Sequence, residues 1–209
     1  MAAANGANTV TGQWREETDG RRWWFDSGSL ALDFAHTGAL HDRECLTSTE
    51  ALGSWLAEHV DTVKPGASDA RLEDALMLRG GIARLAEAAW RTSTPAPEDV
   101  DVLNLFAAMP DVPPALGGGA RQAGRASATA RQALSSIARD AIALLGGPTA
   151  NRLRRCDATD CRLLYLDTSR AGSRRWCSMQ RCGNRAKVRA HRRRNASRAD
   201  TALTRQTGR

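Results

Sequence analysis

The amino-acid sequence predicts a mainly α protein. A helical N-terminal domain with minor β content precedes a small C-terminal module of treble-clef-like plan, a β-hairpin and a basic helix clamped by cysteines. Three observations carry this. Apolar residues recur at helical spacing in several segments between residues 28 and 145. Four of the five cysteines form two pairs with the spacing C-x4-C-x15-C-x4-C. Charge is divided as well: residues 151–209 hold 17 Lys+Arg against 4 Asp+Glu, a net of +13, whereas residues 1–150 hold 13 against 19, a net of −6. A chain of 209 residues suffices for one ordinary core and a small appendage. The expected divisions are a flexible tail over 1–20, a helical domain over 21–148, the cysteine module over 149–194 and a flexible basic tail over 195–209.

In chain order, Met1 to Asn8 is rich in Ala, Asn and Gly and does not read as a signal peptide. Arg21 to Phe25 is a candidate short strand. Gly28 to Thr37 reads as a short helix capped by Ser29, with Leu30, Ala31 and Phe34 inward. His36 and His41 have no Cys or ordered carboxylate near them in sequence, and are expected at the surface or in a cap. Thr47-Ser48-Thr49-Glu50 has the form of a capping box with Thr47 as cap. The helix it opens carries the stripe Leu52, Trp55, Leu56, His59 and stops before Pro65-Gly66. Another helix starts near Ser68 or Asp69 with Leu72, Ala75, Leu76, Ile82, Leu85, Ala86, Ala89 and Trp90 on one face. Arg79 falls on that face. A buried arginine needs a carboxylate, so Arg79 is expected in an ion pair; the alternative is a ligand pocket with Asp33 and His36.

Pro97-Glu98-Asp99 suits a helix first turn, with Val102, Leu105, Phe106 and Met109 along one side. Pro110 to Gly119 is a loop or hairpin tip and lacks the Lys-Ser/Thr of a phosphate loop. From about Ala126 a further helix faces inward with Ala130, Ala133, Leu134, Ile137, Ala138, Ala141, Leu144 and Leu145, and Gly146-Gly147-Pro148 ends it. Cys45 is expected to be a buried or idle thiol. No nucleophile–base pair stands out, so an enzyme is not expected.

The paired cysteines Cys156, Cys161, Cys177 and Cys182 are what a tetrahedral metal needs: two thiolates from each of two turns. One structural Zn²⁺ fits best, and four Cys leave no open position for catalysis. Two disulfides are the alternative, but nothing supports secretion, and a reducing cytoplasm favours metal. Arg162 to Thr168 reads as a strand, Ser169 to Ser173 as a turn and Arg174 to Cys177 as the returning strand, a hairpin between the two knuckles. Ser178 would cap a helix that carries Arg181, Arg185, Lys187, Arg189, Arg192 and Arg193. Together with Arg174 and Arg175 these are the candidate contacts to a polyanion. Tyr165 and Trp176 are expected to pack around the metal rather than stack on bases.

Cys182-Gly183-Asn184-Arg185, with Arg174-Arg175-Trp176-Cys177-Ser178-Met179 upstream and Arg185-Ala186-Lys187-Val188-Arg189 downstream, resembles the CGNR zinc-finger family. Leu30-Ala31-Leu32-Asp33-Phe34-Ala35-His36-Thr37 resembles the opening motif of the ABATE domain. The resemblance implies a bacterial stress-induced transcription regulator that binds zinc through the four cysteines and DNA through the finger. RNA is the alternative nucleic acid, and an adaptor that grips an acidic protein is a further rival. The helical part is expected to sense a small-molecule effector or to mediate homodimer formation. No stretch is apolar enough to span a membrane. The opposite charges of the two parts suggest that the acidic one restrains the basic one.

Overall fold

The computed structural model describes residues 9–17, 19–40, 43–114 and 127–207, with 196–207 described as backbone only. The N-terminal core is built by α1 (Leu30–Ala35), α2 (Thr49–His59), α3 (Leu72–Arg91), α4 (Pro97–Ala107) and α5 (Ala130–Leu145). Helix α1 is the hub, because all six of its residues are buried. Leu30, Ala31, Phe34 and Ala35 enter the main core with Leu52, Trp55, Leu56, Leu78, Ile82, Leu134 and Ile137. Such a short helix needs outside help to close its N-terminus. Ser29 caps it, and Asp140 of α5 accepts from the Ser29 hydroxyl at 2.6 Å and the Ala31 amide at 2.9 Å.

Several expectations shift. The cap of α2 is Ser48, not Thr47, and its hydroxyl accepts from Ala51 N at 3.2 Å. Helix α3 begins at Leu72, because Asp69 is used elsewhere: its carboxylate accepts from Ala130 N at 2.8 Å, at the start of α5. Thr129 and Gln132 form the capping box of that helix. On α4 the buried apolar residues are Leu103 and Phe106, while Leu105 is exposed. Cys45, expected as a buried or idle thiol, is exposed. His41 and residues 115–126 of the Pro/Gly-rich stretch lie outside the described residues.

The expected tail over 1–20 contains a strand. β1 (Gln13–Glu16) pairs antiparallel with β2 (Arg22–Phe25), in the register Gln13↔Phe25 to Glu16↔Arg22. Its inward residues are Gln13 and Arg15, both polar, so no apolar alternation marks it in sequence. Tertiary contacts hold it instead. Gly12 N donates to Asp33 Oδ2 at 2.6 Å, and Trp55 Nε1 to Gln13 Oε1 at 3.4 Å. Gly12 has φ +93°, and a Cβ there would sit 2.4 Å from the Trp24 ring, so only glycine fits.

The C-terminal module follows a 3₁₀ turn at Pro148–Arg152. β3 (Leu153–Arg155) pairs antiparallel with β4 (Leu164–Leu166). The hairpin therefore encloses the first cysteine pair rather than joining the two pairs, and 174–177 is not a strand. Residues 174–177 are held by isolated hydrogen bonds, one from a side chain and one from the backbone: Tyr165 Oη donates to Arg174 O at 2.6 Å, and Asp157 N to Arg175 O at 3.0 Å. A π turn at Met179–Gly183 leads into α6 (Asn184–Thr207), so helix occupies the stretch expected as a basic tail.

The two parts share a core. Leu32, Ala86 and Leu144 of the helical part pack with Leu153 and Leu164 of the module. His36, expected at the surface or in a cap, is the C-cap residue of α1 but is fully buried. Its Nε2 lies 2.7 Å from Leu164 O, and its ring meets Phe25 edge-on at 4.9 Å. Leu166 N donates to Ser27 O at 2.7 Å. Arg155 pairs with Glu87 and lies 4.1 Å over the Trp90 ring.

Candidate metal centre and basic surface

The sulfurs of Cys156, Cys161, Cys177 and Cys182 all lie within 4.8 Å of one another, and all four residues are buried. Cys161 and Cys177 are 3.7 Å apart, and Cys177 and Cys182 are 3.6 Å apart. A Zn–S bond of about 2.3 Å in a tetrahedron puts sulfurs roughly 3.8 Å apart, so the cluster has the size of one zinc tetrahedron. Each element contributes to that placement. The β3–β4 hairpin closes the first pair, with Cys156 N donating to Leu163 O at 3.0 Å and Cys161 N to Ala158 O at 3.0 Å. The π turn puts Cys182 two residues ahead of the start of α6 at Asn184. Phe25, Leu163 and Tyr165 wall the sulfurs off from water, with Trp23 and Trp176 against them.

Two guanidiniums address the sulfurs. Arg181 Nη1 lies 3.8 Å from Cys161 Sγ and 3.7 Å from Cys182 Sγ, and Arg185 Nη2 lies 3.3 Å from Cys182 Sγ. Hydrogen bonds from the other three sulfurs, with Arg185 adding to them, push the Cys182 thiol far down. The same crowding pushes Cys177 far up, since four sulfurs at this spacing do not all ionise without a cation. Zinc supplies that cation and takes all four as thiolates. The sites fit it: four soft donors at tetrahedral spacing, closed to water, with two positive groups offsetting the surplus negative charge of a four-thiolate site.

The signature Cys182-Gly183-Asn184-Arg185 can be read atom by atom. Gly183 N donates to Ser178 O at 3.0 Å across the π turn, and a Cβ on Gly183 would lie 2.8 Å from Met179 Sδ. Asn184 Nδ2 donates back to Gln180 O at 3.2 Å. Arg185 pairs with Asp160 at 2.9 Å besides its contact to Cys182. Each residue after the cysteine braces the metal site. Residues 152–195 match the CGNR zinc finger, and residues 28–148 match the ABATE family, described as "Putative stress-induced transcription regulator".

The chain belongs to the ABATE family. It carries a CGNR zinc finger at its C-terminal side and is a zinc-binding regulator. A comparison with curated proteins found no match. No helix among the described residues is long and apolar enough to cross a membrane.

The arginines expected on one anionic-ligand face divide into two sets in this ABATE protein. Arg174 faces inward: it lies 4.4 Å over the Tyr165 ring, donates to Trp176 O at 3.0 Å, and reaches Cys177 O and Asp26 O. Arg181 pairs with Glu17 and covers the Trp23 ring at 4.7 Å. Burial works against the Arg181 charge, but Glu17 and the sulfurs outweigh it and hold its pKa above the ordinary value. Arg185 and Arg189 share Asp160. Lys187, Arg192 and Arg193 are exposed, as is Arg175, which pairs with Asp157 at 2.8 Å and lies 5.0 Å over Trp176.

Among the described residues, none of the four cavities of about 360 to 590 Å³ is lined by Asp33, His36 or Arg79. Asp33 accepts from Gly12 N and Ser27 N, and His36 reaches the finger. Arg79 has the carboxylate expected for a buried arginine: Glu44 receives its two nitrogens at 2.6 and 2.5 Å, and Thr37 Oγ1 accepts at 3.2 Å. Sequence reasoning missed Glu17 and Asp160 at this site. Both stand in stretches without periodicity.

Proposed function

We propose that the protein is a DNA-binding, non-enzymatic transcription regulator in which zinc fixes α6 as the contact element. The observation that supports this best is the exposed surface of α6. Lys187, Arg189, Arg192 and Arg193 lie on it, and Arg189, Arg192 and Arg193 also line a depression of about 470 Å³ with Arg175 and Trp176. A helix of 24 residues is roughly 36 Å long, enough to follow a major groove. Guanidiniums match phosphate oxygens and guanine edges as bidentate donors. The stress-linked regulation in the family's description is the setting proposed for it.

Fluorescence anisotropy with a duplex over a range of salt tests the reading. Neutralising about six phosphates should give log K against log salt a slope of roughly −5. Binding should vanish when a chelator strips the zinc. A flat salt response, or full binding by the zinc-free protein, would refute it, and preference for structured RNA over duplex would move the partner to RNA.

A further inference from the structure

We infer that the β1–β2 hairpin of the ABATE domain is part of the nucleic-acid surface, so that the finger is not the whole binding unit. This rests on the DNA-binding reading above. The hairpin stands beside the first turns of α6, and the two bound a groove of about 590 Å³. Arg21 and Arg22 line it from the hairpin; Arg185, Arg189 and Arg192 line it from the helix. The one carboxylate among its lining residues, Glu17, is engaged by Arg181.

Both hairpin arginines are placed to accept phosphate. The Arg21 side chain is 79% exposed and pairs with the exposed Asp19 at 2.8 Å, a contact that water screens heavily. Arg22 lies 5.2 Å over the Trp14 ring. A guanidinium stacked on an aromatic face keeps its N–H edge for an oxygen acceptor. The hairpin is held in place relative to the finger by three contacts: Arg181 with Glu17, Arg181 over Trp23, and Phe25 within the zinc-side cluster. Its arginines therefore present a fixed array with those of α6, and preordering lowers the cost of binding.

This bears on the expectation, drawn from net charge, that the acidic part restrains the basic one. Residues 1–150 carry a net of −6, which suggests that they repel a polyanion. Screening limits such effects to roughly 8–10 Å, so the charges next to α6 decide; on the hairpin side those are Arg21 and Arg22, with Glu17 engaged by Arg181 and Asp19 paired with Arg21.

The test is the double variant Arg21→Ala/Arg22→Ala in the zinc-loaded full chain, titrated with duplex DNA over a range of salt. Each lost phosphate contact should reduce the salt slope by about 0.9, so the pair should reduce it by roughly 2 and weaken binding by on the order of tenfold or more near ~0.1 M salt. Zinc content and melting should not change, since both side chains are exposed. Arg192→Ala/Arg193→Ala in the same assay tests the underlying reading. Loss in the helix variant with wild-type affinity and slope in the hairpin variant would overturn the hairpin's role and leave DNA binding standing. Failure of the full chain to bind duplex would overturn both.

Discussion

Removing zinc from the full chain should unfold the finger completely rather than loosen it, and leave the helical domain folded. The large apolar side chains that enclose the sulfurs are Phe25, Leu163 and Tyr165. At about 1.5–3 kcal/mol each, their burial supplies roughly 5–9 kcal/mol, an upper estimate against an extended unfolded chain. Structural zinc supplies about 10–16 kcal/mol in small fingers. The metal is the larger contribution at the sulfurs, and the module's remaining apolar anchors, Leu153 and Leu164 against Leu32, Ala86 and Leu144, are too few to offset the ordering entropy of residues 153–183 by themselves. Helices α2 to α5 have their own core and should persist. Hydrogen exchange with and without a chelator separates the regions. Peptides covering 153–166, which contain the Cys156 N to Leu163 O and Leu166 N to Ser27 O bonds, should lose protection; peptides from α3 and α5 should keep theirs. Retained protection across 153–166 in protein verified to be zinc-free would refute the argument that the metal, rather than packing, holds this module.

Three further outcomes are expected. Arg181→Met keeps the bulk over Trp23 but loses the Glu17 pair and the contacts to two sulfurs, so zinc affinity should fall about 10–100-fold in a chelator competition; unchanged affinity would make Arg181 a packing residue only. Gly12→Ala forces a Cβ to 2.4 Å from the Trp24 ring at φ +93° and should cost about 1–3 kcal/mol in urea unfolding; a neutral result would mean that the hairpin end yields easily. Burial pushes Asp33 up from 3.8 to about 7, against the amides of Gly12 and Ser27 that favour its ionised form. A raised folded-state pKa means that its contribution to stability is complete below about pH 4 and is lost as pH rises through about 7. Denaturation of Asp33→Asn beside the parent should show a smaller decline over that window, and parallel curves would exclude Asp33 as the cause.

What could be read from the sequence was whatever repeats or comes in pairs. The α5 face, Ala130 to Leu144, is apolar at helical spacing and buried as its pattern implies. The four cysteines announced one cluster through their spacing alone. Features set by partners distant in sequence were not readable. Asp69 looks like the cap of the helix just after it, yet caps α5 from 61 residues away. His36 has no marked neighbour in sequence, and its burial depends on Leu164, 128 residues on. β1 is recognised only when Asp33 and Trp55 are placed beside it. The position of the finger's hairpin failed for a related reason: Leu153 to Arg155 is too short and too basic to read as a strand until Leu164 to Leu166 lies opposite.

The basic helix shows why a count of positive charges overstates a binding face. Arg181 and Arg185 begin the i, i+4 run that suggested a single polyanion surface, yet both turn toward sulfur and carboxylate. Their charge is committed to the four thiolates, Glu17 and Asp160. The run changes role as α6 leaves the metal: Arg189 still reaches Asp160 at 3.1 Å, whereas Lys187 and Arg192 are exposed. The same spacing thus serves the zinc site at one end and solvent at the other, because helical periodicity aligns side chains without specifying what packs against each turn. For a nucleic-acid partner, the useful charge is the exposed set further along the helix, with whatever neighbouring elements bring alongside it. In this fold the hairpin that carries Arg21 and Arg22 shares a groove with Arg189 and Arg192 of that helix.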